Sequence, residues 1–320
     1  MAAMTDTAPL LPIVAFGPLN PFMDEELARR FTVHPIAVDT DLNALPPQVR
    51  EARAMVCMGS TGASAAIMDA LPRLEMIGLF SVGYDKVDID HARARSIRVT
   101  NTPDVLTDDV ADLAVGLLYA TVRNIAANDR MVRAGDWARG VKTALSGRVT
   151  GRRIGILGLG RIGRAIARRL EPVAEAILYH SRRAVADSAY RYIADPLELA
   201  RASDVMIVAT AGGAETRGLV DAAMLEALGR DGVIINISRG SVIDEEALVT
   251  ALADGRIAGA GLDVFADEPH VPQALLAMDH VVLQPHQGSA TVETRRAMGD
   301  LVLANLDAWA AGKPLLTPVV

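Results

Sequence analysis

The sequence predicts an α/β protein of two doubly wound units, and three observations lead there. Short apolar runs rich in β-branched residues alternate with helical patterns along almost the whole chain, the signature of parallel sheets with helical crossovers. The alternation comes as two series, separated near the middle by a long helical stretch. A length of 320 residues, 51% of them hydrophobic, exceeds what one simple core accommodates.

In the first series the expected strands are "PIVAFG", "AMVCMG", "LEMIGLFSVG" and "IRVTN", with helical stretches such as "MDEELARRF" and "SAAIMDALP" between them. "NTPDV" then interrupts the pattern with a proline and a turn-forming asparagine. One long helix is expected over "LTDDVADLAVGLLYATVRNIAANDRMVRAG". Thr107 serves as N-cap, Asp108 and Asp109 suit the positive end of the dipole, and Gly135 suits the stop. The second series runs through "RRIGILGLGRIG", "AEAILYH", "DVMIVAT", "GVIINIS", "IAGAGLDV" and "HVVLQPH", and a final helix over "TVETRRAMGDLVLANLDAWAAG" follows.

Bulk properties narrow the function. A net charge of −7 without a basic run argues against a general nucleic-acid binder. No segment approaches the ~18 uninterrupted apolar residues of a membrane span, so no membrane partner is expected. "MAAMTDTAPLLP" lacks the charged and apolar regions of a signal peptide. The single cysteine, Cys57, lies in an apolar run and reads as a small buried hydrophobe; with no disulfide possible within the chain, the expected location is the cytoplasm. No His/Cys/Asp cluster has metal-ligand spacing, so no metal site is expected.

"RRIGILGLGRIGRAIARRL" is a strand, a turn and a helix with Gly158, Gly160 and Gly163 in G-x-G-x-x-G spacing, Arg161 and Ile162 lying between the last two. The first glycine permits the tight turn, the second lets a pyrophosphate approach the backbone, and the third lets helix and strand pack closely. The helix start presents unpaired N–H groups to phosphates. Together they predict a dinucleotide site. The next strand of such a unit ends near the adenosine ribose, where an NAD site places an acid. Here that end reads His180-Ser181-Arg182-Arg183, with no acid. Ser181, Arg182 and Arg183 suit a 2′-phosphate, so NADP(H) is the expected cofactor, with NAD used at lower preference.

Three later strand ends carry chemistry-bearing groups. "INISRGSVIDEEAL" sets Arg239 just after a buried strand, "GAGLDVFADEP" sets Asp263 and Glu268 after another, and "VVLQPHQGSAT" sets His286 and Gly288 after a third. Carboxyl ends of strands line the ligand crevice of open α/β sheets. Arg, Glu and His converging there can clamp a carboxylate, tune a base and transfer a proton.

These motifs, with "SVGYDKVD", "VTNTPDVLTDDVAD", "NISRGSVIDEEAL", "GRIAGAGLDVF" and "PHQGSATVETR", resemble the D-isomer-specific 2-hydroxyacid dehydrogenase family over nearly the whole chain. Within it they are most similar to the NADPH-dependent glyoxylate/hydroxypyruvate reductase branch. The resemblance implies a Rossmann-type NAD(P)-binding domain over residues 102–286 and a discontinuous, flavodoxin-like substrate domain over 1–101 and 287–320, with a cleft between them. It implies a small 2-oxo acid substrate reduced to the D-2-hydroxy acid, glyoxylate to glycolate or hydroxypyruvate to D-glycerate. His286 would be the proton donor. Glu268 would pair with it and raise its pKa. Arg239 would bind the substrate carboxylate and polarise the 2-oxo group, and the backbone amides of Val82 and Gly83 would hold the carboxylate's other side.

It further implies that Asp263 and the Ile237 carbonyl orient the nicotinamide carboxamide, with Thr210 near the adenosine and the Gly288 amide near the nicotinamide. Relatives dimerise through the cofactor domain by the helix and arm around "AANDRMVRAGDWARG", so a homodimer is expected, with Trp137 at the partner's active-site rim or simply anchoring the interface. "ATAGGAET" and "LEPVAEAIL" depart from the family's commonest pattern, and Gln284 and Gln287 flank the Pro-His pair. Two other readings remain open. One is an aryl-pyruvate reductase of the same family, distinguished by the pocket around Met58 to Gly62 and Leu79 to Tyr84. The other is an NAD(H)-sensing corepressor-like binding protein, which the doubled arginine and the absence of long tails disfavour.

Overall fold

The computed structural model describes residues 10–320. Residues 1–9, which belong to the stretch read as lacking signal-peptide features and to the expected substrate domain, lie outside them. The chain divides into two compact units, the first running to Leu106 and resuming at Val292, the second spanning Thr107–Thr291.

In the first unit, strands β1 (Pro12–Phe16), β2 (Thr32–Ile36), β3 (Ala54–Met58), β4 (Met76–Phe80) and β5 (Arg98–Thr100) form a sheet in the order β2-β1-β3-β4-β5. Every pairing is parallel. This is the flavodoxin-like order. Four of the five strands are the expected runs. The fifth, "TVHPI", escapes a pattern search because Pro35 interrupts it; an edge strand tolerates a proline, and β2 is an edge. β4 is buried along its whole length, as a strand covered on both faces must be.

In the second unit, β6 (Arg153–Leu157), β7 (Ala176–His180), β8 (Arg191–Tyr192), β9 (Val205–Val208), β10 (Val233–Asn236), β11 (Gly259–Leu262) and β12 (Val281–Leu283) take the order β12-β11-β10-β9-β6-β7-β8, again all parallel. The Rossmann order 3-2-1-4-5-6 is preserved, with β12 added at the far edge. The order reverses between β6 and β9, which places the switch point at the glycine turn. A core of Leu157, Met206, Val208, Ile234, Val242, Leu248, Leu262 and Phe265 packs one face of this sheet.

Two expectations are corrected. The helix expected as one piece is two, Thr107–Val122 and Ile125–Arg133, bent by 64°. Asn124 between them adopts φ +53, a left-handed conformation that asparagine tolerates and a helix does not. Thr107 is the first residue of its helix rather than the residue before it, and Asp108 and Asp109 fill the first turn. The compact units meet at 106/107 and 291/292, five residues beyond each of the expected domain bounds. Thr102 donates its N–H to Ser81 of the first unit (2.8 Å), and Gln287 and Gly288 donate theirs to Asp263 of the second (2.6 and 2.9 Å).

Among the described residues no single helix is long and apolar enough to cross a membrane. Burial pushes the Cys57 thiol up to about 12, so it stays protonated at neutral pH and supplies no thiolate nucleophile.

Candidate active site

In the second unit the sequence-marked residues collect at one edge of the sheet. In a parallel sheet all carboxyl ends lie on the same side, and β6, β7, β9, β10, β11 and β12 deliver their loops there. A cavity of about 620 Å³ lined by Arg230, Leu252 and His280 opens at the opposite edge, where β10, β11 and β12 begin, away from this chemistry.

The glycine turn fits a dinucleotide. Gly158 has φ +106, and a Cβ on it would meet the Thr210 backbone nitrogen at 2.7 Å. A Cβ on Gly163 would lie 2.1 Å from the Gly158 carbonyl oxygen, so close packing of helix Arg161–Leu170 on its strand demands glycine. A Cβ on Gly160 would meet nothing within 4 Å. That bare space at the helix N-terminus leaves room for a pyrophosphate to approach the backbone.

At the end of β7 the Ser181 hydroxyl accepts the Leu159 N–H of the glycine turn (2.9 Å), a bond that does not use its own proton. Arg182 and Arg183 are exposed, and Arg182 pairs with Glu215 (Nη1 to Oε2, 3.3 Å). Sequence reading gave no sign of Glu215, which lies in the unusual "ATAGGAET" turn.

Arg239 follows β10. Asn236 donates Nδ2–H to its carbonyl (3.0 Å), and Arg239 donates from Nη1 to the Ser238 carbonyl (2.8 Å). The next residue, Gly240, abuts the loop carrying Glu268: a Cβ there would lie 1.9 Å from the Phe265 carbonyl carbon. The Ala266 N–H donates to Glu245 Oε1 (3.0 Å), locking the same two segments a second time.

His286 Nδ1 lies 2.8 Å from Glu268 Oε2, and Glu268 Oε1 accepts the Phe265 N–H (3.1 Å). Burial pushes the Glu268 carboxyl up, but the His286 hydrogen bond and charge, the Phe265 amide and the Arg239 charge outweigh it and hold the pKa below the usual carboxylate value. Glu268 is therefore ionised at neutral pH and can only accept. The proton on that bond sits on Nδ1, which leaves Nε2 as the ring nitrogen turned away from Glu268.

His286 also holds φ +54. A non-glycine residue in that region costs about 1–3 kcal/mol and persists only where its surroundings enforce it. Asp263 enforces it here. Its carbonyl accepts the His286 N–H (2.9 Å), Oδ1 accepts from Gln287 and Oδ2 from Gly288. Burial raises the Asp263 pKa, against the two amides and the His286 charge, which lower it. The Gly288 amide, expected beside the nicotinamide, is thus committed to Asp263. Sequence reading missed this anchoring role, for which it offers no local signal.

The remaining expected residues sit as follows. Ile237 is buried and its N–H reaches the Val208 carbonyl (3.4 Å), while Thr210 packs by its backbone on Gly158. Val82 and Gly83 lie in the first unit, after β4. Asn101 Nδ2 donates to the Val82 carbonyl (2.8 Å) and Ser81 Oγ to the Gly83 carbonyl (2.6 Å). Across a trans peptide the Gly83 N–H points opposite to the Val82 carbonyl, hence away from Asn101.

Comparison with known proteins identifies the family of the chain. Residues 115–288 match the family model described as D-isomer specific 2-hydroxyacid dehydrogenase, NAD binding domain. A glyoxylate/hydroxypyruvate reductase of Arabidopsis thaliana is 47% identical over 309 residues, 96% of this chain and 98% of the relative. A hydroxyphenylpyruvate reductase of Plectranthus scutellarioides is 47% identical over 311 residues, with coverage of 96% and 98%. The crystal structure of an NADPH-dependent glyoxylate/hydroxypyruvate reductase from Sinorhizobium meliloti, in complex with NADP and malonate, superposes with a TM-score of 0.92 at 45% identity, covering 97% of each chain.

Proposed function

The chain belongs to the D-isomer-specific 2-hydroxyacid dehydrogenase family, and from that premise we propose that it is an NADPH-preferring reductase of small 2-oxo acids, glyoxylate and hydroxypyruvate foremost. The observation that carries the reading is the His286–Glu268 pair, held beside Arg239 at the carboxyl edge of a dinucleotide-binding sheet. NADP is the cofactor that the Sinorhizobium meliloti enzyme binds, and Ser181, Arg182 and Arg183 would hold its 2′-phosphate here. Gly158, Gly160, Gly163 and the start of the helix at Arg161 and Ile162 would hold its pyrophosphate. Thr210, the Ile237 carbonyl and Asp263 would border the rest of it.

When bound, the reduced nicotinamide supplies a hydride. The residues of this chain do the rest. Arg239 grips the substrate carboxylate and draws electron density toward the 2-oxo oxygen, and the amides of Val82 and Gly83 are proposed as carboxylate donors of the first unit. His286 gives its Nε2 proton to that oxygen as the hydride reaches C2, leaving a D-2-hydroxy acid. Glu268, ionised throughout, stabilises the imidazolium and fixes the ring by its Nδ1 bond.

The active species is proposed to be a homodimer. Ile125, Val132, Trp137, Val141 and Leu145 present large apolar side chains to solvent within one short stretch of the second unit, and Leu145 is fully exposed. Trp137 belongs to this surface.

A second reading shares the chemistry. The Plectranthus scutellarioides relative, equally similar, is a hydroxyphenylpyruvate reductase, so an aryl-pyruvate substrate is tested beside the small acids. The experiment measures kcat/KM for glyoxylate, hydroxypyruvate and 4-hydroxyphenylpyruvate with NADPH and NADH, in the wild type and in Arg182→Ala/Arg183→Ala. The proposal expects the small acids with NADPH to lead, and that lead to fall roughly ten- to a thousand-fold in the variant as one or two charge-assisted bonds are lost. Equal use of both cofactors in both proteins would overturn the NADPH assignment, and preference for the aryl acid would overturn the substrate.

A further inference from the structure

The loop that carries the doubled arginine is pinned. Ser181 accepts the Leu159 N–H on its hydroxyl, and the Tyr192 hydroxyl donates to the Ser181 carbonyl (3.2 Å). At the loop's other end the Val185 N–H donates to the hydroxyl of buried Tyr179 (2.9 Å). The two tyrosines are register partners on β7 and β8 with ring centroids 5.4 Å apart, and Tyr192 also stacks on His180. The short β8 thus serves to hold the end of β7. Arg182 projects from a fixed backbone, so whatever neutralises it has to come to it.

Glu215 does. It lies on a 3-10 turn, Ala214–Thr216, after β9, where Thr216 Oγ1 donates to the Ala211 carbonyl (2.8 Å) and Gly218 donates its N–H to Ser241 (2.9 Å). The same loop begins at Thr210, packed on the first glycine of the nucleotide turn. Its carboxylate meets Arg182 at 3.3 Å, with both side chains well exposed. A 2′-phosphate on Arg182 would compete with this carboxylate for the guanidinium. A ribose carrying only a 2′-hydroxyl would not compete with it.

Resting on the NADPH reading above, we propose that Glu215 is a specificity-determining residue for the cofactor: it occupies Arg182 in the free protein and lowers the preference for a 2′-phosphate below what the arginines alone would give. Arg182 then serves two anions in turn, the protein's own and the cofactor's. The exposed pair is a weak competitor, which lets the phosphate win while the carboxylate sets the margin.

The test is calorimetric titration of NADP⁺ and of NAD⁺, without substrate, into wild type, Glu215→Gln, Arg182→Ala and the double variant. Glu215→Gln is expected to tighten NADP⁺ by roughly twofold to tenfold and to change NAD⁺ by less than about twofold. The gain should shrink in high salt, where exposed charges are screened. It should also vanish in the Arg182→Ala background, because the two residues act on one pair. If Arg182→Ala weakens NADP⁺ but Glu215→Gln leaves it unchanged, this proposal falls and the arginine reading stands. A gain that persists without Arg182 also overturns it. If Arg182→Ala leaves NADP⁺ binding untouched, the arginine reading falls, and this proposal with it.

Discussion

His286 is strained and its strain has an owner. The left-handed backbone at φ +54 is maintained by three bonds to a single residue: the Asp263 carbonyl takes the His286 N–H, and its carboxylate takes the two that follow. Asp263→Asn places an NH₂ group against one of those two N–H donors, so the turn should relax toward an ordinary conformation. The expected result is a drop in kcat of about tenfold or more with the fold intact, read by steady-state kinetics alongside circular dichroism. Glu268 gives a pH signature with a definite sign. Its folded pKa lies below the ordinary ~4.3, so its contribution to stability is complete above that value and is lost as pH falls through the lower folded one. Denaturant unfolding of Glu268→Gln is therefore expected to vary less steeply with pH across that acid window than the wild type, while the two slopes coincide near neutrality.

At the scale of elements, the glycines separate folding from binding. A Cβ on Gly163 would strike the Gly158 carbonyl and one on Gly240 the Phe265 backbone, so Gly163→Ala and Gly240→Ala should lower the melting temperature by several degrees. A Cβ on Gly160 meets nothing, and its φ of −78 suits alanine. Gly160→Ala should melt as the wild type does and yet bind NADP⁺ at least about tenfold more weakly, as seen by calorimetry. Equal effects of the Gly160 and Gly163 substitutions would contradict the role given to the turn. The strands were also what the sequence displayed best, since a strand buried on both faces must be a continuous apolar run, as β4 is throughout and β6 and β10 are apart from Arg153 and Asn236 at their ends. The bend at Asn124 was hidden because the residues on both sides keep a helical pattern. β8 was hidden because two residues make no pattern, although its Tyr192 secures the arginine loop.

Across the whole molecule the two units have sheet orders with different switch points, and the chemistry-bearing side chains of the second all leave one edge. Arg239, Glu268 and His286 were legible because each follows a strand within a few residues. The pairings that link loops distant in sequence were not: Asp263 with Gly288, Glu245 with Ala266, Arg182 with Glu215. Sequence adjacency carries strand ends but not the contacts between them. The exposed apolar stretch from Ile125 to Leu145 leads to an assembly prediction. Light scattering should give a dimer, and Trp137→Asp/Leu145→Asp should shift it toward monomer. The most direct test of the central claim is the initial rate of NADPH oxidation with hydroxypyruvate in wild type and in His286→Asn, with NADP⁺ affinity measured on both. The account expects turnover by the wild type and a loss of about 10²- to 10⁴-fold in kcat in the variant with NADP⁺ affinity unchanged. Turnover undiminished in the variant, or absent in the wild type with every 2-oxo acid tried, would contradict it.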